Sequence, residues 1–162
     1  MITNIRSKFG EELYKQMEID KDIFILTGDL GYKLLDKHKE GFPDRVTNVG
    51  ASEQAMIGIA CGMALEGLKP FVYSITNFLI YRPFEWIRNY IDHEKIPVRL
   101  VGSGLGKDYA YDGFTHQCED LKQVLDIFKN INQLYPSNGE EVSIMLEKMV
   151  KEDKPWFMGL KR

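Results

Sequence analysis

The 162-residue sequence has few cysteines, no marked excess of either charge and no long apolar run. Its two cysteines, Cys61 and Cys118, form neither a C-x-x-C pair nor a disulfide framework, and with seven methionines they indicate a reducing compartment. The formal net charge is −3 and basic residues are interspersed with acidic ones, which argues against a nucleic-acid partner. We therefore expect a cytoplasmic protein.

Segments that could enter a membrane are also missing. The longest apolar run, residues 55–65, is far shorter than the ~20 residues that span a bilayer. The first residues alternate polar and apolar positions at helical spacing and do not form the apolar block of a signal peptide. We expect neither membrane insertion nor a leader.

Common metal and nucleotide motifs are absent as well. No H-E-x-x-H, paired-cysteine or EF-hand spacing occurs, so we expect this chain to hold no metal on its own. The segment "GSGLGK" lacks the G-x-G-x-x-G spacing of a dinucleotide site. It also differs from a P-loop, because Val101 stands where the first glycine is required and Asp108 where Ser or Thr should follow Lys107.

What the sequence does contain is an alternation of helical and strand patterns, with 44% hydrophobic residues. The predicted helices cover about 3–17, 34–39, 52–66, 76–91, 119–128 and 139–151, and the predicted strands about 23–27, 45–49, 70–75, 98–104, 132–135 and 155–160. This pattern predicts an α/β fold, a three-layer sandwich with a mostly parallel six-stranded sheet and helices on both faces. We expect residues 1–162 to form a single domain.

In such a sheet, ligands bind outside the carboxyl ends of the strands. Four loops fall there in the prediction: "GDLG", "NVGASE", "SITNF" and "GSGLGKDYAYDGFTHQ". Glu53 begins the otherwise apolar helix 52–66, where it either complements the helix dipole behind a Ser52 cap or exchanges a proton with a ligand. The spacing of Phe78 and Tyr81 is compatible with core packing or with a ligand pocket.

Helix 52–66 also predicts a protein interface. Small residues recur along it at intervals of four, three and four: Ala51, Ala55, Gly58 and Gly62. A helix that is apolar all round has to be covered all round, and a chain of this size has little left to cover it with. We therefore expect another subunit against this stripe.

Taken in order, several segments resemble the pyrimidine-binding domain of transketolases and related thiamine diphosphate enzymes. They are "TGDLG", "FPDRVTNVGASEQAMIGIACGMALEGLKPFVYSITNF", "LGKDYAYDGFTHQCED" and "PWFMGLKR", which together span nearly the whole chain. The resemblance implies a thiamine diphosphate cofactor whose aminopyrimidine ring nitrogen is hydrogen-bonded by Glu53. That contact promotes removal of a proton from the thiazolium carbon.

The resemblance also implies roles for other residues. Phe78 matches the aromatic residue that stacks on the pyrimidine, Tyr81 lines the same pocket, and Asp29 with Leu30 falls near the thiazolium. Two further matches, Asp112 and His116, contact the sugar substrate, and His116 joins Glu53 as a catalytic candidate. Arg162 matches a basic residue near the substrate phosphate, although a terminal carboxylate beside it would weaken that site.

Departures from the family pattern predict a divided enzyme. A transketolase carries a diphosphate-binding domain with a G-D-G and Asn motif, which this sequence lacks. We therefore expect a separate diphosphate-binding subunit that carries magnesium or calcium, in a heterotetramer with two copies of each chain. The histidine that sugar-phosphate transketolases place near Val101 and Gly102 is absent, which favours a modified sugar as the acceptor.

The sequence therefore predicts the pyrimidine-binding subunit of a two-component transketolase that transfers a two-carbon ketol unit between sugars or sugar phosphates. Two alternatives remain. One is a subunit of a 2-oxo acid dehydrogenase or decarboxylase that uses the same cofactor, and the other is a non-catalytic regulatory subunit.

Overall fold

The computed structural model describes residues 4–162, and these contain one six-stranded sheet. Its strands in chain order are β1 (Ile23–Thr27), β2 (Val46–Asn48), β3 (Lys69–Ile75), β4 (Arg99–Ser103), β5 (Asn132–Leu134) and β6 (Trp156–Leu160). The spatial order is β2-β1-β3-β4-β6-β5, and all five pairings are parallel. The predicted α/β fold and its six strands are confirmed.

The helices are α1 (Ile5–Ile19), α2 (Asp36–Gly41), α3 (Glu53–Leu65), α4 (Thr76–Tyr81), α5 (Phe84–Trp86), α6 (Leu121–Leu125) and α7 (Gly139–Lys151). The predicted and observed bounds of α7 are the same, and those of α3 differ by one residue at each end. The predicted start of the first helix, at residue 3, lies outside the described residues.

Two apolar cores cover the two faces of the sheet. One packs α3 and α4 against it and includes Met56, Ile57 and Leu79, all fully buried. The other packs α1 and α7 and includes Phe9 and Leu146. Each such side chain contributes roughly 1.5–3 kcal/mol when it leaves water. The resulting three layers hold the carboxyl ends of β1, β2, β3 and β4 along one edge.

The prediction of one continuous helix over 76–91 is wrong. Helix α4 ends at Tyr81, Pro83 precedes the short α5, and a π-helical segment follows over Ile87–His93. Proline has no N–H to donate and its ring clashes with the carbonyl four residues earlier, so the α-helical hydrogen bonding stops there. The break leaves Arg82 at the C-cap of α4.

Candidate cofactor site

The loops that follow β1 and β2 are tied together by one amide side chain. Asn48 Oδ1 accepts hydrogen bonds from the backbone N–H of Asp29 at 2.9 Å and of Gly50 at 3.0 Å. Asp29 has a φ of 52°, a left-handed conformation that few non-glycine residues adopt. This bridge fixes the turn that carries Asp29 and Leu30 beside the start of α3.

Glu53 is the first residue of α3 and is 2% exposed. The side chain of Ser52 makes no capping hydrogen bond, so the Ser52 cap of the first alternative does not form. The end of β1 approaches the carboxylate closely, because a Cβ placed on Gly28 would lie 3.5 Å from Glu53 Oε1. The helix dipole favours a negative charge at this position. The structure thus presents a buried carboxylate at the carboxyl edge of the sheet.

The partner of this carboxylate is Arg82, which the sequence analysis did not identify. Its Nη1 donates to Glu53 Oε2 at 2.8 Å and lies 3.0 Å from Oε1. The two residues are 29 positions apart, so no local pattern connects them. The available signal was the position of Arg82 four residues after Phe78, on the same face of a helix.

Phe78 lies at the centre of the group of candidate residues. The Arg82 guanidinium carbon is 3.8 Å from the centroid of the Phe78 ring. The His116 ring packs against Phe78 in an edge arrangement, with centroids 4.8 Å apart and an interplanar angle of 71°. His116 Nδ1 is also 3.1 Å from the hydroxyl of Thr115. The structure therefore joins Glu53 and Phe78 through one guanidinium and places His116 against the Phe78 ring.

Tyr81 lies one turn further along and borders a cavity of about 690 Å³. Its hydroxyl donates to Asp120 Oδ1 at 2.6 Å. Burial, reinforced by the hydrogen bond and charge of Asp120, raises the pKa of Tyr81, so the phenol keeps its proton at neutral pH. The cavity lies between α4 and the loop 114–120, with Asn77, Phe78, Arg82, Phe114, Thr115, Gln117 and Glu119 completing its lining.

A second cleft, of about 970 Å³, begins at Leu30 and runs along α1. Its lining is rich in basic groups, which include Arg6, Lys15, Lys33 and Lys37. Tyr109 connects it with the end of the chain, because Arg6 Nη1 donates to Tyr109 Oη at 3.3 Å and the Arg162 guanidinium lies 4.8 Å from the centroid of the Tyr109 ring. This basic cleft has the charge to attract an anion.

Two of the residues selected from the sequence lie apart from Glu53. Asp112 is exposed, and its side chain makes no hydrogen bond with Glu53 or His116 in the part of the chain that the structure describes. Arg162 packs on Tyr109, and its backbone N–H donates to Asp108 Oδ2 at 3.0 Å. Within a single chain, the candidate residues therefore form a Glu53 group and a separate Arg162 group.

Residues 4–162 contain no group of three or more His, Cys, Asp or Glu side chains that could hold a metal ion. No helix over the same range is long and apolar enough to cross a bilayer.

Comparison with known families gives one match that covers nearly the whole chain. The model described as "Transketolase, pyrimidine binding domain" matches residues 3–162. Curated relatives include the 1-deoxy-D-xylulose-5-phosphate synthase of Clostridium perfringens (strain 13), which is 32% identical over 146 residues, 89% of this chain and 23% of that enzyme. A Methanocaldococcus jannaschii protein provisionally named a transketolase C-terminal section is 28% identical over 98% of this chain and 50% of its own length.

Solved structures share the fold. A split-gene transketolase, described as an inactive beta4 tetramer, superposes with a TM-score of 0.86 at 24% identity, over 98% of this chain and 50% of that one. The transketolase of Campylobacter jejuni gives 0.85 at 23% identity, over 97% of this chain and 25% of that one. The chain therefore spans half the length, or less, of these relatives.

Proposed function

Because the chain belongs to the family of transketolase pyrimidine-binding domains, whose enzymes depend on thiamine diphosphate, we propose that it forms half of a cofactor site in a two-component transketolase. In this proposal it transfers a two-carbon ketol unit between sugars or sugar phosphates. It acts together with a separate chain that binds the diphosphate.

One observation carries the proposal. Glu53 is a buried carboxylate at a helix start, with the planar ring of Phe78 beside the same guanidinium that pairs with it. The guanidinium is a flat, cationic hydrogen-bond donor, and the aminopyrimidine of the cofactor is a flat heterocycle with nitrogens along its edge. A site that binds a guanidinium in this way has the aromatic surface and the hydrogen-bond acceptor that an aminopyrimidine requires. The residues therefore fit the proposed cofactor.

Each residue has a defined task in this proposal. Glu53 would hold a ring nitrogen of the aminopyrimidine by a hydrogen bond and exchange a proton there, because a buried carboxylate lies where the ring edge would meet it. Phe78 would stack on the ring. Tyr81, protonated and bound to Asp120, would wall the pocket, and the turn of Asp29 and Leu30 would approach the thiazolium. When bound, thiamine diphosphate supplies a thiazolium carbon that adds to the carbonyl of the substrate.

In this proposal, residues next to the cofactor site contact the substrate. His116 lies against Phe78, where an imidazole can bind a sugar hydroxyl or move a proton, and Asp112 would complete that contact from the same loop. The basic cleft that begins at Leu30, with Arg6 and Arg162 on either side of Tyr109, would bind an anionic group of the sugar. This cleft supports a sugar phosphate or an acidic sugar as the substrate.

A partner subunit is the second half of the proposal. Three members of the predicted stripe are exposed: Ala51 just before α3, and Ala55 and Gly62 on it. The fourth, Gly58, is partly covered by Trp86 of the same chain, and Ile59 beside the stripe is 46% exposed. Apolar surface of this kind is typical of an interface with another subunit. The diphosphate-binding chain and its magnesium or calcium would cover this side in a heterotetramer with two copies of each chain. A split-gene transketolase with the same fold supports the proposal that the enzyme is divided between two chains.

The test is a matched pair of substitutions at the two ends of α3, assayed in the complex with the proposed diphosphate-binding chain. We expect Glu53→Gln to keep the fold and the assembly but to lower ketol transfer at least about 100-fold, because proton exchange is lost. Glu66→Gln, an exposed change at the other end of the helix, should leave activity intact.

Product analysis separates the alternatives. Carbon dioxide released from a 2-oxo acid would indicate a dehydrogenase or decarboxylase. Wild-type turnover by Glu53→Gln would indicate a non-catalytic subunit.

A further inference from the structure

Arg82 makes the same two contacts that the proposed cofactor ring needs. Its guanidinium carbon lies 3.8 Å from the centroid of the Phe78 ring, and its Nη1 donates to Glu53 at 2.8 Å. The Arg82 guanidinium thus covers the Phe78 ring and occupies the Glu53 carboxylate at the same time. An aminopyrimidine cannot stack on that face of Phe78 and bond to Glu53 while the guanidinium is there.

The geometry of this contact follows from the helix break at Pro83. Phe78 and Arg82 are four residues apart, a spacing that places two side chains on one helix face. Arg82 is the last residue of that turn, and its side chain remains 44% exposed while that of Glu53 is 2% exposed. The cation therefore has access to water and can move, whereas the carboxylate is held.

We propose that Arg82 competes with the aminopyrimidine for Glu53 and Phe78, and that its guanidinium leaves Glu53 when the cofactor binds. The inference rests on the proposed function. Without ligand, the guanidinium neutralises a carboxylate that would otherwise be buried and unpaired, an expensive state. With ligand, that pairing is exchanged for the hydrogen bond to the ring.

The structure also provides a place for the displaced side chain. Arg82 lines the cavity of about 690 Å³ together with Glu119 and Asp120, both of which are exposed. A guanidinium that turns away from Glu53 into this cavity can pair with either carboxylate in water-accessible surroundings. The exchange therefore costs less than moving a cation into an apolar region.

The first experiment tests, in the free chain, the slot between Glu53 and Phe78 that the Arg82 guanidinium occupies. It needs neither cofactor nor partner. Arg82→Ala should lower the melting temperature by about 5 °C or more, because Glu53 loses its partner. Addition of about 10 mM methylguanidinium, which has the same planar cationic head, should raise the melting temperature of Arg82→Ala through binding to the folded state.

Wild type and Arg88→Ala, whose arginine is exposed on the next helical segment, should not respond to methylguanidinium. An equal response by all three proteins would contradict a slot that only Arg82 occupies. So would the lack of any response by Arg82→Ala.

The second experiment measures cofactor affinity by calorimetry, using thiamine diphosphate with magnesium and the complex with the diphosphate-binding chain. Removing the competitor should make the dissociation constant of Arg82→Ala about 10-fold smaller than that of wild type and of Arg88→Ala. Arg82→Lys keeps a cation near Glu53 and secures the fold if the alanine variant unfolds. It should also bind more tightly than wild type, because an ammonium lacks the flat surface that covers Phe78.

Weaker binding by Arg82→Ala and Arg82→Lys would overturn the proposal, because it would mean that Arg82 supports the cofactor. Equal affinity of all variants would overturn it too. Failure of the proposed function gives a different result, since the wild-type complex itself would then not bind thiamine diphosphate, whatever methylguanidinium does to the free chain.

Discussion

At the residue scale, the buried side chains of Glu53 and His38 have opposite environments. Glu53 is paired with a cation, whereas neither ring nitrogen of His38 makes a well-formed hydrogen bond within residues 4–162. His38 is 2% exposed and packs edge-on against Tyr14. Burial lowers the pKa of His38 to about 4, an effect that the nearby backbone of Gly10 and Leu34 only partly opposes. His38 is therefore neutral in the folded protein at physiological pH.

This lowered pKa makes stability depend on pH. Between about pH 6.5 and 4 the unfolded chain binds a proton that the folded chain excludes, so the stability present above pH 6.5 is lost as the pH falls. We expect the free energy of unfolding to be about 2 kcal/mol lower at pH 5 than at pH 7.5 from this residue. Urea titration of wild type and of His38→Phe, which keeps an aromatic ring, measures the difference. Equal slopes with pH in the two proteins would refute it.

The surroundings of a side chain can be predicted from the sequence where they are formed by residues nearby in the chain. The apolar run after Glu53 predicts a carboxylate at a dry helix end, and the structure confirms its burial. The contact between Arg82 and Glu53 could not be predicted, because the two residues are 29 positions apart. The four-residue spacing of Phe78 and Arg82 indicated only that those two side chains share a helix face. The same holds for Arg6 and Tyr109, which are 103 positions apart.

At the scale of elements, the start of α4 depends on a close approach to β4. A Cβ on Gly102 would lie 2.3 Å from Thr76 Oγ1 and 3.2 Å from the ring of Phe157. Thr76 is the first residue of the helix that carries Phe78 and is fully buried, so it has little room to move. The absence of a side chain at residue 102 is therefore a packing requirement of the site.

A pair of glycine substitutions tests this requirement. Gly102→Ala should lower the free energy of unfolding by about 2 kcal/mol, because the new methyl group overpacks the α4 contact. Gly62→Ala should raise it by about 0.5–1 kcal/mol in the free chain, since its Cβ meets no atom within 4 Å and alanine favours the helix. Urea unfolding of both variants provides the measurement. A destabilisation of similar size in both would show that Gly102 has no special contact.

Element boundaries follow from the sequence where capping residues and periodicity agree. Helix α7 begins after Asn138, whose side chain accepts from the N–H of Glu141, and its bounds match the prediction. The helix over 76–91 fails because the apolar spacing continues past Pro83 while the hydrogen bonding does not. The turn before the π-helical segment packs against α3, with Trp86 lying over Gly58, and periodicity alone does not contain that information.

At the scale of the whole molecule, the exposed side of α3 is the surface on which we predict a partner. Burial of Met56, Ile57 and Ala60 fixes one side of the helix against the sheet. The opposite side presents Ile59 and Leu65 to solvent, at 46% and 71% exposure. The sequence indicated a partner here from the small residues alone, and this remains a prediction.

Assembly should therefore respond to a side chain on this stripe. Gly62→Gln should leave the free chain at least as stable as wild type, because its Cβ meets no atom and glutamine favours the helix over glycine, but it should prevent assembly with the proposed diphosphate-binding chain. Ile144→Gln, an exposed apolar position on α7 across the sheet, should leave assembly unchanged. Sedimentation of the mixed chains distinguishes the outcomes. Normal assembly by Gly62→Gln would place the interface elsewhere.

The central claim is that Glu53 and Phe78 hold the pyrimidine ring of thiamine diphosphate where this chain meets its partner. The most direct measurement is a high-resolution structure of the assembled complex with thiamine diphosphate and magnesium. We predict the Glu53 carboxylate within hydrogen-bond distance of a ring nitrogen, the ring stacked on Phe78, and Arg82 turned toward Asp120. Cofactor bound elsewhere, with Glu53 still paired to Arg82, would contradict the account.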